Sequence, residues 1–504
     1  MSGRTTQPLW NVLSLDRRGE RASGSLQDQI VAFFREAVLR GALKPGARIP
    51  SSRQLAAELG VARITAVEAF DRLTAEGYFV ARLGVGLFVA DTVTDAYLSA
   101  LPVKSARLQR AAAPEPPVPS PRSVPHAPVA DALPLATGVP ALAEFPWRDW
   151  ARISARVCRE RPAEALAYGD PQGLPALRVA IADYLGAARG IVCDPDQIVV
   201  VSGSQQGIDL TARVVASPGE AAWFEEPGYG AARAALTAAR LRVVLVPADV
   251  EGIDVASGVA LAPDARLAVV TPSYHYPLGA TLSLARRRAL LAWAHTTGAW
   301  ILEDDYYGDY RFAGRPQTPL HALDRHERVL YLGTFSKMLA PGLRLGFLVA
   351  PRPLVSRLTA LKTATDRYTP GLMQLVLARF IAEGRLAAHV RRMRAVYRDR
   401  RAALLAALER HAADVLDVGE PPDAGLHIAT KLRVDVDDVA VSRAVRAEGV
   451  AAAPLSAYYA RSPGIRGFVL GFANTTASQA GRAVRCLAEA IRAELAGHRA
   501  SSKI

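Results

Sequence analysis

The sequence predicts an α/β domain of buried, mostly parallel strands, carried behind a smaller and mainly helical domain. Three observations predict it. Short, wholly apolar runs alternate with helical stretches between residues 198 and 332, as strands covered on both faces must. Residues 26–80 instead repeat their apolar side chains at three- and four-residue intervals. Between the two, prolines recur every few residues and no apolar period survives. The expected boundaries are 1–90, 91–130 and 131–504.

At 504 residues and 50% hydrophobic content, the chain has material for two or three large cores, which excludes a disordered protein. Cys158, Cys193 and Cys486 lie far apart with no paired spacing, so neither a disulfide framework nor a structural metal site is expected. No uncharged apolar run reaches the length of a membrane span or a signal core, so the expected location is the cytoplasm. A net charge of +13 admits a polyanion as partner without requiring one.

In the first domain, Ile30, Phe33, Phe34, Val38 and Leu39 describe one amphipathic helix that stops near Gly41. Lys44-Pro45-Gly46 forces a turn. Ser51 or Ser52 then caps a short helix broken at Gly60, and a further helix follows with Ile64, Val67, Phe70 and Leu73 as its apolar face. Tyr78–Val80 and Leu87–Ala90, with Gly84 and Gly86 between them, read as a hairpin. Two helices joined by a tight turn and followed by a hairpin make a winged helix-turn-helix, whose second helix enters the major groove of double-stranded DNA. Arg63 and Thr65 open that helix where side chains reach base edges. Arg48, Ser52 and Arg53 stand where phosphates are met.

The stretch from Leu43 to Ala56, with Ala75-Glu76-Gly77-Tyr78 and the segment from Gly84 to Val89, resembles the GntR family of bacterial regulators. It departs at Ala62, where the family usually has serine, and at Leu87, where the wing usually has a small hydroxyl residue. From Ala111 to Pro134 the proline-rich sequence favours polyproline II, a semi-rigid spacer.

Six strands are expected in the large domain, each containing one of the runs that start at Ile198, Ala221, Val243, Leu267, Trp300 and Val329. Ligands of such folds bind beyond the carboxyl ends of the strands. There the first run is followed by Ser202-Gly203-Ser204-Gln205-Gln206-Gly207, a small-residue turn opening a helix whose free amides suit a phosphate. The second is followed by Tyr229, an aromatic able to lie on a planar ring. Glu303-Asp304-Asp305-Tyr306-Tyr307 offers an aspartate for a pyridine nitrogen and a tyrosine for a ring phenolate. Last comes Thr334-Phe335-Ser336-Lys337, with Arg344 as a fixed cation for a phosphate. A lysine there is explained if its amine is consumed as a Schiff base with pyridoxal 5'-phosphate (PLP). Acidic strand ends also bind Mg²⁺, but that reading leaves the lysine, Arg344 and the glycine turn without a common purpose.

The large domain, 131–504, resembles the fold-type I aminotransferases, most closely through Tyr168-Gly169-Asp170-Pro171-Gln172-Gly173 with Leu177-Arg178, Glu303-Asp304-Asp305-Tyr306-Tyr307-Gly308, and Thr334-Phe335-Ser336-Lys337 through Arg344-Leu345-Gly346. The resemblance implies Lys337 as the Schiff-base residue, Asp304 on the pyridine nitrogen and Tyr229 over the ring. It also implies Ser204, Gln205, Thr334 and Arg344 on the phosphate, with Tyr168 reaching the phosphate of a partner subunit in a head-to-tail homodimer. A GntR-like winged helix fused to such a domain is similar to the MocR/GabR subfamily, which implies a regulator with operator DNA and a small-molecule effector as partners. Thr271 to Gly279, with His275, stands where aminotransferases usually show Asn-Pro-Thr-Gly. Where amino-acid-binding members place a carboxylate-clamping arginine, this chain has Val469, with Arg466 three residues earlier as the substitute. Without a clamp, PLP itself becomes a signal, as for subfamily members that regulate vitamin B6 supply. The competing expectations are a working aminotransferase with an appended DNA-binding module and a structural DNA-binding protein with a degenerate large domain.

Overall fold

A computed structural model describes residues 25–82, 84–90, 133–160, 162–314, 317–421, 423–461 and 464–501. The chain divides into two compact units between residues 119 and 120. That division falls inside the expected spacer of 91–130, which itself lies outside the described residues.

The first unit holds α1 (Leu26–Leu39), α2 (Ser52–Leu59), α3 (Arg63–Ala75) and a hairpin of β1 (Phe79–Arg82) with β2 (Gly86–Val89). Ser25 and Asp28 satisfy each other's backbone amides in a capping box at the start of α1. Ser51 is the cap of α2, accepting from the amide of Gln54, and Gly60 ends that helix at a φ of 61°. Phe34 meets Phe70 and Phe79 edge-on at 5.7 Å each, with Ile30, Leu55, Leu73 and Val89 sealed around them. Burying each such side chain contributes about 1.5–3 kcal/mol.

The expected face of α3 needs correction. Ile64 is 61% exposed, and the buried stripe is Ala66, Ala69, Phe70 and Leu73. Those four follow the i, i+3, i+4, i+7 spacing of one helix face, so the two small alanines outrank the larger Ile64 in setting the orientation.

The second unit is built on eight strands: β3 (Ile198–Val201), β4 (Ala221–Glu226), β5 (Arg242–Asp249), β6 (Gly252–Ile253), β7 (Leu267–Val270), β8 (Trp300–Asp304), β9 (Val329–Thr334) and β10 (Gly346–Val349). Their order is β3-β10-β9-β8-β7-β4-β5-β6, and the run from β9 to β5 is parallel throughout. All six expected strands are present. The sequence reading missed β10, which runs antiparallel between β3 and β9 and pairs Gly346 with Thr334. That reversal matters for function, because it delivers Arg344 to the edge where β8 and β9 end.

Also missed was a four-stranded antiparallel sheet near the C-terminus: β11 (Leu416–Asp417), β12 (His427–Leu432), β13 (Ala453–Pro454) and β14 (Gly467–Gly471). The helices Arg385–Ala412 and Ala477–Ser501 belong to the same part of the fold, sharing one core with β12 and β14.

Candidate cofactor pocket and nucleic-acid interface

Lys337 lies in a one-turn helix, Phe335–Met338, which Thr334 caps by accepting from the amide of Ser336. Its amine donates to the carbonyl of Gly138. Burial lowers the Lys337 pKa to about 8, against the opposing pull of Asp304. Asp304 ends β8, and burial first, then the neighbouring Asp305, raises its carboxyl to about 7, with Lys337 countering. Among the described residues, Oδ1 of Asp304 is buried with no hydrogen-bond partner. Such a group costs about 1–3 kcal/mol when left unmade, so its retention asks for a ligand.

The phosphate end is built from β3 and β10. Gly203 precedes the helix Ser204–Val215 at a φ of 95°, and no side chain caps that helix. A Cβ on Gly203 would stand 3.2 Å from Nη1 of Arg344, so the guanidinium lies against the start of this helix, and the φ of 95° favours glycine there. Ser204 is the first residue of that helix, and Thr334 pairs with Gly346, where a Cβ would stand 3.2 Å from Cα of Gly203. Gln205 is exposed, and its amide donates to the carbonyl of Ala231 at 2.8 Å.

The ring-facing residues are less uniform than expected. Tyr229 is half-buried, edge-on to Tyr276 at 5.8 Å, and its electrostatic neighbours include Asp304 and Arg344. Tyr306 donates to the carbonyl of Tyr274 at 2.9 Å, whereas Tyr307 is packed into the main core. His275 is fully covered, its Nε2 3.6 Å from Glu225, too long for a hydrogen bond. Burial drops its pKa to about 3, so it is neutral. Glu225, which the sequence reading passed over, accepts from the hydroxyl of Thr271 at 2.6 Å and from its amide at 3.1 Å. Burial lifts Glu225 to about 8.

Tyr168 is 83% exposed and lies edge-on to Tyr368. Arg466, the residue expected to face an effector, is half-exposed and donates to Asp435 at 2.7 Å and to the carbonyl of Val436 at 3.2 Å. Val469 is sealed inside β14, paired with Ala429 and Ala453. Among the described residues, no group of three or more acidic, histidine or cysteine side chains is placed to hold a metal, and no helix is long and apolar enough to cross a membrane.

On the first unit, Arg63 is exposed in the first turn of α3, and Ala62 offers no side-chain cap to the amides beside it. Thr65 is half-buried in the same turn, Ser52 is half-buried at the first residue of α2, and Arg53 beside it is exposed. Arg48 is exposed too, but its guanidinium donates to the carbonyl of Val85 at 3.1 Å, bracing the wing.

The pattern for bacterial regulatory proteins of the gntR family matches residues 26–89, and that for aminotransferase class I and II matches residues 130–487. The probable rhizopine catabolism regulatory protein MocR of Rhizobium meliloti is 37% identical over 92% of each chain. The chain belongs to the MocR-type GntR regulators. Other MocR-type relatives are the regulator TauR of Rhodobacter capsulatus, 35% identical over 86% of this chain and 89% of that one, and the pyridoxine biosynthesis regulator PdxR of Corynebacterium glutamicum, 32% identical over 89% and 92%. The large unit has the fold-type I aminotransferase architecture. A kynurenine aminotransferase from Pyrococcus horikoshii superimposes with a TM-score of 0.67 at 32% identity, covering 72% of this chain and 92% of that one.

The pocket of this MocR-type chain fits PLP on its own geometry. The buried Asp304 oxygen lacks a partner that a protonated ring nitrogen would supply, and the Arg344 guanidinium sits against an uncapped helix start, where a fixed cation and free amides suit an anion.

Proposed function

We propose that this protein is a PLP-binding transcriptional regulator that binds operator DNA as a head-to-tail homodimer and senses PLP or a small amine or amino acid in its aminotransferase-like pocket. The observation that carries the reading is the unpartnered, buried Asp304 oxygen beside Lys337, in a chain that also exposes Arg63 on an uncapped helix. When bound, PLP supplies an aldehyde that condenses with primary amines and a ring that withdraws electrons.

The chain's own residues do the rest. Lys337 presents an amine that is neutral above pH 8. Asp304 holds a proton at the ring nitrogen. Arg344, Thr334, Ser204 and the amides after Gly203 bind the phosphate, with Gln205 at its exposed rim. Tyr229 covers the ring, Tyr306 supplies a phenol at its edge, and His275 braces the loop behind Glu225. The exposed Tyr168 completes the phosphate site of a second copy. On the first unit, Arg63 and Thr65 read bases while Arg48, Ser52 and Arg53 meet phosphates. Val469 at the clamp position supports a sensor over an efficient transaminase.

The test is footprinting and operator titration of the full-length protein, with and without PLP, after borohydride has fixed the cofactor. The expected result is one modified residue, Lys337, and a footprint that changes with the cofactor, since a ligand shifts a DNA-bound state only through differential affinity. Identical footprints together with steady turnover of amino donors would replace the regulator with an enzyme carrying a DNA-binding module.

A further inference from the structure

The first turn of α3 carries a large side chain that the fold does not use. Ile64 is 61% exposed and faces away from the buried stripe of its own helix. At about 100° per residue it stands roughly 120° or more from each of Ala66, Ala69, Phe70 and Leu73. Single apolar residues are ordinary on a protein surface, and position is what sets this one apart. Ile64 lies between the exposed Arg63 and the half-buried Thr65, in the turn whose amides Ala62 leaves without a side-chain cap. Further along the same face come Glu68 and then Asp71, both exposed. Phosphates lining a DNA groove repel those carboxylates, so the first turn is the part of α3 that a groove accepts. Ile64 is the outermost neutral side chain of that turn.

What such a side chain can read follows from its chemistry. Isoleucine has no donor or acceptor, so it gains nothing from the polar groups that distinguish base pairs in the major groove. Pressed against one of them, it would strip a polar edge of water and leave it unpaired. The methyl of thymine is the apolar group presented there, and packing it on Ile64 removes both surfaces from water at once.

We infer, resting on the DNA reading above, that Ile64 is a specificity-determining residue that recognises thymine by its methyl group. Operator sequences are selected from random double-stranded DNA with the full-length protein. Each thymine of the selected site is then replaced in turn by deoxyuridine, which lacks only that methyl, and affinities are compared at one fixed salt concentration. At one position the wild-type protein is expected to lose affinity about fourfold, the worth of one buried carbon. Ile64→Ala should show no loss at that position while every other deoxyuridine effect stays as in the wild type. Ile64→Val, which keeps a branched apolar side chain, should retain the sensitivity. If deoxyuridine costs nothing at any position, or costs Ile64→Ala as much as the wild type at every one, the assignment of Ile64 is overturned and the DNA reading stands. A full-length protein that selects no sequence at all sinks the DNA reading and this inference with it.

Discussion

Glu303, Asp304 and Asp305 are consecutive, acidic and buried, and the fold treats the three differently. Glu303 accepts from the amides of Leu320 and His321 at 2.9 Å each. Asp305 is ion-paired to the buried Arg189 and takes the hydroxyl of Tyr331 at 2.8 Å. Oδ1 is left without a partner in both Asp304 and Asp305, but Asp305 is anchored through its other oxygen, whereas the Asp304 carboxyl makes no side-chain hydrogen bond or ion pair among the described residues. Two of the acids hold the sheet to its surroundings, and the third is left for something the fold does not contain. The same division runs along α3, where Arg72 is engaged by Asp28 and Glu76 while Arg63 has no ion-pair partner among the described residues. A side chain consumed by the fold and one left open can be adjacent and chemically alike.

The comparison breaks most visibly at Asp305. Asp305→Ala strands the Arg189 charge in the interior, and thermal or urea unfolding should show a loss of about 3–5 kcal/mol. Asp304→Asn should do the opposite to the empty protein. Because burial raises its carboxyl to about 7, the ionised form is penalised in the folded state, and the penalty grows as pH rises from the ordinary carboxylate range to 7. The substitution should therefore raise stability by roughly 1–3 kcal/mol at pH 8, show no gain near pH 4, and weaken PLP retention. Equal destabilisation by the two changes would make Asp304 another structural acid.

How much of this the sequence shows depends on how local the signal is. Lys337 and Asp304 stand out because each follows an apolar run that marks a strand, and Arg344 because it is a fixed cation seven residues beyond Lys337. The strand β10 escaped because antiparallel insertion between β3 and β9 is a matter of topology, and its apolar run looks like any other. The α3 face was misassigned because Ala66 and Ala69 carry little hydrophobic weight while deciding how closely the helix packs. The hydrogen bonds of the Tyr276 phenol with Thr137 and Tyr458 were invisible, since those partners lie 139 and 182 positions away. The unequal fates of Glu303, Asp304 and Asp305 are also unreadable locally, because their partners come from other elements.

On the DNA face the comparison separates by sequence dependence. Arg63→Ala should cost about 1–3 kcal/mol on the operator and spare non-specific binding, as expected for a side chain left open to base edges. Arg48 already braces Val85, so Arg48→Ala should weaken all sequences alike and flatten the salt dependence by about one counterion. A loss of specificity with Arg48→Ala and none with Arg63→Ala would exchange their roles.

The smallest expected effect tests whether the open acid acts on the lysine at all. Desolvation lowers the Lys337 pKa to about 8 and Asp304 partly offsets it, so the neutral amine that attacks an aldehyde is a minority below that pH. With PLP in excess and borohydride trapping as the clock, the initial uptake rate should climb about tenfold per pH unit below 8 and level off above it. Asp304→Asn removes the charge that supports the ammonium, so the Lys337 pKa should fall further and the plateau should begin at lower pH. Final retention would be poorer even as the early rate at pH 7 improves. Slower early uptake, or a plateau displaced to higher pH, would mean that Asp304 does not set the charge of Lys337 and that the two groups meet only through the cofactor.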